Sequence, residues 1–276
     1  MSKHTLRIAV APNYKIGIFD SGLGGLTVLK SIKQSFPAYS FIYLGDLANL
    51  PYGDKSQDSI IMYSKKIVDF FIQQNIQLII IACNSASSVA LKNLQSIYSI
   101  PIIGVIRPSI KIALKKTKTK SIGIIGTETT VNSQAYNNEL KHLTNNSHEY
   151  RISSVSCPLF VPIVEEGWEN TEIAHQIATK YLSNFKDKNI DTIILGCTHY
   201  PILLKILKII FNQLGYYNLT YIECGDAITK QIEKLDLNVH HQPSDQFYIT
   251  DTSRKFNKLA NKFLGYKIPA INVISV

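Results

Sequence analysis

The feature that most constrains this chain is a repeated unit: a short apolar run, a polar or glycine-bearing turn, then a segment of helical spacing. Lys15–Asp20 (KIGIFD) closes on Asp20, Ser21 and the glycines Gly22, Gly24 and Gly25. Leu26–Phe36 then carries apolar residues at helical intervals and stops before Pro37. Phe41–Gly45, Ile76–Ala82, Ile102–Ile106, Ser121–Gly126, Arg151–Val155 and Ile190–Gly196 read as further strands. Between and after them, Ser56–Gln74, Ala86–Tyr98, Thr129–Leu140, Thr171–Phe185 and Pro201–Leu214 read as helices, the last opened by a proline that suits a first turn. Strands apolar on both faces, alternating with helices, predict an α/β fold with parallel sheets covered by helices on both sides.

The 276 residues leave room for two domains, and a hydrophobic fraction of 45% with 18% charged residues excludes a disordered chain. The apolar runs fall far short of the ~20 residues that span a bilayer, so no membrane partner is expected. The opening segment MSKHTLRIAVAPNYK has no sustained apolar core before a cleavage site and does not read as a leader, so the expected compartment is the cytoplasm. A net charge of +9 raises a nucleic-acid partner. Yet the densest basic cluster (Lys111, Lys115, Lys116, Lys118, Lys120) stands among Ile110, Ile112, Ala113 and Leu114, as in the solvated end of an amphipathic helix, and nucleic acid is not expected. The four cysteines, Cys83, Cys157, Cys197 and Cys224, form no CxxC pair, which argues against a zinc ribbon or a thioredoxin motif. In a reducing compartment each is either a small core residue or a reactive thiol.

The two halves echo each other. KIGIFDSG resembles SIGIIGTE, and IIIACNSAS resembles TIILGCTHY, in the same order and at similar separations. That suggests two similar domains facing one another. Cys83 and Cys197 then occupy matching places at the carboxyl ends of buried strands, where α/β sheets bind ligands and where a helix N-terminus is expected to lower a thiol pKa. Two thiols looking into one cleft suit a two-base reaction, one thiolate removing a proton from carbon and a thiol returning one to the other face. Asp20 is either a tuner of a thiol or a helix cap, and His199 either a tuner or a satisfied turn histidine. The glycine turn fails the GxGxxG spacing at Thr27 and no GxxxxGK[ST] is present, which disfavours a nucleotide. An anion site built from its amides stays open.

DSGLGGL (Asp20–Leu26), PYG (Pro51–Gly53), ACNSAS (Ala82–Ser87), CPLFVPIVEEG (Cys157–Gly167) and GCTHYP (Gly196–Pro201), in that order, strongly resemble glutamate racemase, a member of the aspartate/glutamate racemase superfamily. The resemblance runs from about Lys15 to beyond Asp226. It implies that Cys83 and Cys197 are the catalytic pair, Cys83 deprotonating the D-enantiomer and Cys197 serving the L-enantiomer. Asp20, Glu165 and His199 match the family's assisting residues. Asp20, Ser21, Tyr52, Gly53, Asn84, Ser85, Thr198 and His199 match positions that hold the substrate. Their hydroxyls, amide and loop N–H groups suit an amino acid's carboxylates. The resemblance implies glutamate as the small-molecule partner, a role in supplying D-glutamate for peptidoglycan, and no need of a metal or other cofactor; a homodimer is compatible with it.

It also implies two parallel-sheet domains related by a pseudo-two-fold axis with the site in the cleft between them. Residues 1–110 form the first, completed by 220–276 through the final apolar run Ile271–Val276, and 111–219 form the second. Ser85 replaces a threonine common in relatives, and Arg107-Pro108-Ser109 departs from their usual pattern in a segment expected to link the halves. Cys157 and Cys224 read as core residues, and Glu166 as a solvent-facing neighbour of Glu165. Aspartate is the nearest rival substrate, since one methylene discriminates by only ~1–3 kcal/mol. A thiol redox protein, the other reading of the cysteines, would join Cys83 to Cys197.

Overall fold

The structure, a computed structural model, describes residues 15–235, 243–252 and 256–276. The opening segment that was read as lacking a leader lies outside the described residues, apart from Lys15.

Strands β1 (Lys15–Asp20), β2 (Ser40–Gly45), β3 (Leu78–Ile81) and β4 (Ile102–Gly104) build the first sheet in the order β2-β1-β3-β4. Strands β5 (Ser121–Gly126), β6 (Arg151–Ser156), β7 (Thr192–Gly196) and β8 (Thr220–Glu223) build the second in the order β6-β5-β7-β8. The two orders are the same, with β5 in the place of β1 and β7 in that of β3. Every pairing is parallel. Two late strands, β9 (Gln246–Ile249) and β10 (Ile271–Val273), extend the first sheet beyond β2 to six strands. The fold is therefore two parallel-sheet α/β domains. β2, β3, β5 and β7 are buried throughout, as apolar central strands covered on both faces must be. The edge strand β6 (RISSVS) is mostly half-exposed, as its polar residues require.

Several elements differ from the sequence expectation for identifiable reasons. The single helix expected over Ala86–Tyr98 is two, Asn84–Val89 and Leu91–Ile97, joined at Ala90. It begins earlier because the Cys83 sulfur caps it, accepting from the Ala86 amide. The strand expected over Ile102–Ile106 ends at Gly104, and a helix starts at Ile106. Arg107-Pro108-Ser109 is thus the first turn of that helix, where proline's missing N–H would have had no helical partner. The same helix carries Lys115 and Lys116 exposed in its last turn and buries Ile110 and Ala113, which explains the basic cluster. Thr129–Leu140 divides into Glu128–Asn132 and Ala135–Leu143 around Gln134, whose φ is 56°. The segments Phe160–Glu166, Cys224–Ile232 and Phe256–Leu264 are not among the helices expected from the sequence.

The chain passes from β8 in the second sheet into Cys224–Ile232, which packs on the helices Leu26–Ser35 and Ile106–Lys116. One hydrophobic cluster runs from Ile16 and Leu29 beneath the first sheet through Val105 and Leu195 to Tyr200 and Phe211. Among the described residues no helix is long and apolar enough to cross a membrane.

Candidate active site

A cavity of about 520 Å³ lies where the carboxyl ends of the two sheets meet. Ser21, Tyr52, Gly53, Cys83, Asn84 and Ser85 reach it from the loops of the first sheet, and Glu165, Cys197, Thr198 and His199 from those of the second. β1 lies between β2 and β3, so its carboxyl end is a switch point where neighbouring connections diverge and leave a crevice. Ser21 and Cys83 follow β1 and β3; Thr127 and Cys197 follow the matching strands β5 and β7.

Cys83 is buried, with its sulfur 3.8 Å from Ser21 Oγ and 3.5 Å from the Ala86 amide. Burial, then the charge of Asp20, pushes its thiol up to about 12, against the Ala86 and Ser21 groups that favour the thiolate. Burial likewise pushes the Cys197 thiol well up; the His199 amide opposes this, and Asp20 and Cys83 add to it. The expected lowering by a helix N-terminus is therefore overturned. The helix after Cys83 has only six residues, and one amide contact does not offset removal of the sulfur from water. All four cysteines are free thiols, with no disulfide joining Cys83 to Cys197.

His199 connects Cys197 to a carboxylate. Its Nε2 lies 3.0 Å from Glu165 Oε1 and its Nδ1 4.0 Å from the Cys197 sulfur. With the Nε2 hydrogen given to Glu165, a neutral ring turns an acceptor nitrogen toward the thiol. Phe263, from the late helix Phe256–Leu264, packs edge-on against the imidazole at 5.3 Å between centroids and limits its rotation.

Asp20 does not line the cavity. It is fully buried behind it, accepting from the Gly22 amide at 3.0 Å and from Thr198 Oγ1 at 3.3 Å, with a further hydrogen bond to the Gly25 amide. Burial raises its pKa while His199 and these donors oppose the rise. The glycine turn thus spends its amides on the protein's own carboxyl group, in place of the ligand anion that the sequence left open. Gly24 serves a different need: a Cβ there would stand 2.3 Å from Thr198 Oγ1 and 2.5 Å from His199 Nδ1. Its absence lets the first domain's turn close onto the second domain's Thr198-His199, and Thr27 Oγ1 ties the contact by donating to the Thr198 carbonyl at 2.9 Å.

Tyr52 lines the cavity, but its hydroxyl donates to Asp46. Asn84 and Ser85 are each held across the cleft: Tyr136 donates to Asn84 Oδ1 at 2.8 Å, and Ser85 Oγ meets Thr127 Oγ1 at 2.9 Å. Thr127, Glu128, Pro158 and Pro162 also line the cavity and were not singled out from sequence. Thr127 had a signal, since it stands in SIGIIGTE where Ser21 stands in KIGIFDSG. Among the described residues no group of three or more His, Cys, Asp or Glu could hold a metal ion.

Comparison with known proteins gives the family. The model of the Asp/Glu/Hydantoin racemase family matches residues 16–232. A glutamate racemase of Sulfurihydrogenibium sp. is 43% identical over 251 residues, covering 91% of this chain and 94% of its own. The crystal structure of glutamate racemase from Francisella tularensis in complex with D-glutamate superposes with a TM-score of 0.88 at 35% identity, covering 96% of this chain and 98% of that one. The Aquifex pyrophilus glutamate racemase gives 0.79 at 38% identity, over 94% and 98%. With its two parallel sheets and a family model matched over residues 16–232, the chain belongs to the Asp/Glu/hydantoin racemase family and is an amino-acid racemase.

Proposed function

We propose that this racemase interconverts L- and D-glutamate without a cofactor, using Cys83 and Cys197 on opposite faces of the α-carbon. The observation that carries the reading is the entry of these two thiols into one cavity from the ends of matching strands, β3 and β7. The names of the relatives support the substrate. From D-glutamate, the Cys83 thiolate takes the α-hydrogen as a proton: the C–H bond breaks, an S–H bond forms, and the electron pair spreads into the α-carboxylate. The Cys197 thiol then gives its proton to the other face, yielding L-glutamate and a Cys197 thiolate. The reverse direction exchanges the roles.

His199, oriented by Glu165, relieves Cys197 of its proton when that residue acts as base. Asp20 acts on both thiols through its field. Ser21, Ser85, Thr198, Asn84 and the Gly53 backbone are suited to the carboxylates, whereas Tyr52, its hydroxyl committed, offers ring and backbone. The substrate's ammonium group supplies the positive charge that favours a thiolate in so buried a place. D-Glutamate made in this way would serve peptidoglycan synthesis in the cytoplasm, and the two units are read as 1–110 with 220–276, and 111–219.

Each enantiomer of glutamate, incubated in deuterium oxide with the protein and no added cofactor, should exchange its α-hydrogen and racemise. Cys83→Ala and Cys197→Ala should each abolish racemisation. Near wild-type racemisation by either variant overturns the two-thiol mechanism, and faster turnover of aspartate overturns the substrate.

A further inference from the structure

Behind Asn84 lies a buried polar cluster drawn from four elements. Tyr136, near the start of the helix Ala135–Leu143, donates to Asn84 Oδ1 at 2.8 Å. Cys224, which opens the helix Cys224–Ile232, has its sulfur 3.3 Å from the Leu195 carbonyl, 3.5 Å from Asn84 Nδ2 and 3.6 Å from Asn84 Oδ1. Ser109, in the turn Arg107-Pro108-Ser109, lies 3.7 Å from the same sulfur and donates to the Val105 carbonyl at 2.7 Å. Asn84 lines the cavity; Tyr136, Cys224 and Ser109 do not.

The hydrogens in this cluster have few places to go. The single thiol hydrogen of Cys224 has its shortest acceptor in the Leu195 carbonyl, which leaves the sulfur to accept from Asn84 Nδ2. Tyr136 is fully enclosed, and burial holds its hydroxyl protonated well above the ordinary range. Its hydrogen has Asn84 Oδ1 at 2.8 Å as acceptor, and Cys224 and Ser109 also hydrogen-bond with its hydroxyl. Turning the amide over would take the 2.8 Å carbonyl acceptor from the Tyr136 hydroxyl and leave its hydrogen to the Cys224 sulfur, a weaker acceptor.

We propose that Tyr136, with Cys224, is a positioning residue that fixes the Asn84 carboxamide with its oxygen turned into the protein, so that the group it offers the cavity is an N–H donor for a substrate carboxylate. An unfixed amide could present either end, and the oxygen end would repel the carboxylate. The cluster also gives Cys224 and Ser109 a use, one having read as core and the other as a departure from relatives. This inference rests on the reading of an amino dicarboxylate as substrate.

Tyr136→Phe keeps the ring and removes the donor. It should raise KM for glutamate about tenfold, the worth of one well-aligned hydrogen bond to a charged group, with kcat changed by less than threefold. In an Asn84→Ala background the same substitution should change KM by less than twofold, because the group it orients is gone. Cys224→Ala is the second arm and should raise KM a few-fold. A merely structural role predicts a lower Tm with KM unmoved. An active wild type whose KM stays within twofold in both Tyr136→Phe and Cys224→Ala overturns this inference alone, as does a full Tyr136→Phe effect on Asn84→Ala. A wild type that leaves glutamate untouched overturns the reading beneath it.

Discussion

Iodoacetamide alkylates thiolates, so the rate at which Cys83 is modified in the substrate-free protein measures how firmly burial and Asp20 hold its proton. At pH 8 a thiol of ordinary pKa 9.0 is roughly one-tenth thiolate, whereas one at about 12 is roughly one part in ten thousand. Ionisation alone should thus slow Cys83 by about 10³ relative to an ordinary thiol. Restricted access slows it further, but equally at every pH, so the slope is diagnostic. The logarithm of the rate should rise by about one per pH unit from 7 to 10 without levelling, read from the Cys83 peptide by mass spectrometry so that Cys157 and Cys224 do not contribute. Asp20→Asn, which removes the second-largest cause of the shift, should speed the reaction at fixed pH. A plateau below pH 9 would mean that the resting protein already holds a thiolate, and the desolvation reasoning would be refuted.

Two further outcomes follow from the same geometry. The thiols of Cys83, Cys157, Cys197 and Cys224 are all raised in the fold. The folded protein keeps protons there that the unfolded chain loses near pH 9. Their stabilisation is therefore complete below that pH and lost above it at about 1.4 kcal/mol per pH unit for each thiol still protonated. Urea unfolding should show falling stability from pH 9 to 10.5; a flat profile would contradict the burial of these groups. Gly24→Ala should destabilise by about 2 kcal/mol and lower activity, because the new methyl must displace Thr198 and His199; unchanged turnover and Tm would show that the turn does not need this approach.

The sequence carried the sheets well because their central strands are apolar on both faces, a pattern that short edge strands lack. β9 (QFYI) draws on neighbours far away in the chain and nothing local marks it, whereas β10 (INV) lies in the final apolar run. The cysteines and the residues around them were legible from motifs. Their protonation was not, because it depends on how much water the closed cleft removes and on Asp20 lying behind it. Thr127 was available in the internal echo, since a hydroxyl after β5 is what a repeat of Ser21 after β1 requires. The polar use of Cys224 was hidden, as a lone thiol looks the same in sequence whether it packs against carbon or accepts a hydrogen bond.

The residues that join the two domains around the cavity either line it or abut those that do. Thr27 reaches Thr198, Ser85 meets Thr127, Thr129 donates to the Gly53 carbonyl, and Tyr136 holds Asn84. The contacts that hold the two domains together are therefore the ones that build the site, and both sulfurs are buried within it. Desolvation makes a thiolate costly, and the charge of Cys83 raises Cys197 further. The closed site thus disfavours two thiolates far more than one. The proposed two-base mechanism needs one sulfur as base and the other as acid, and a charge on Cys83 favours that division by keeping the proton on Cys197.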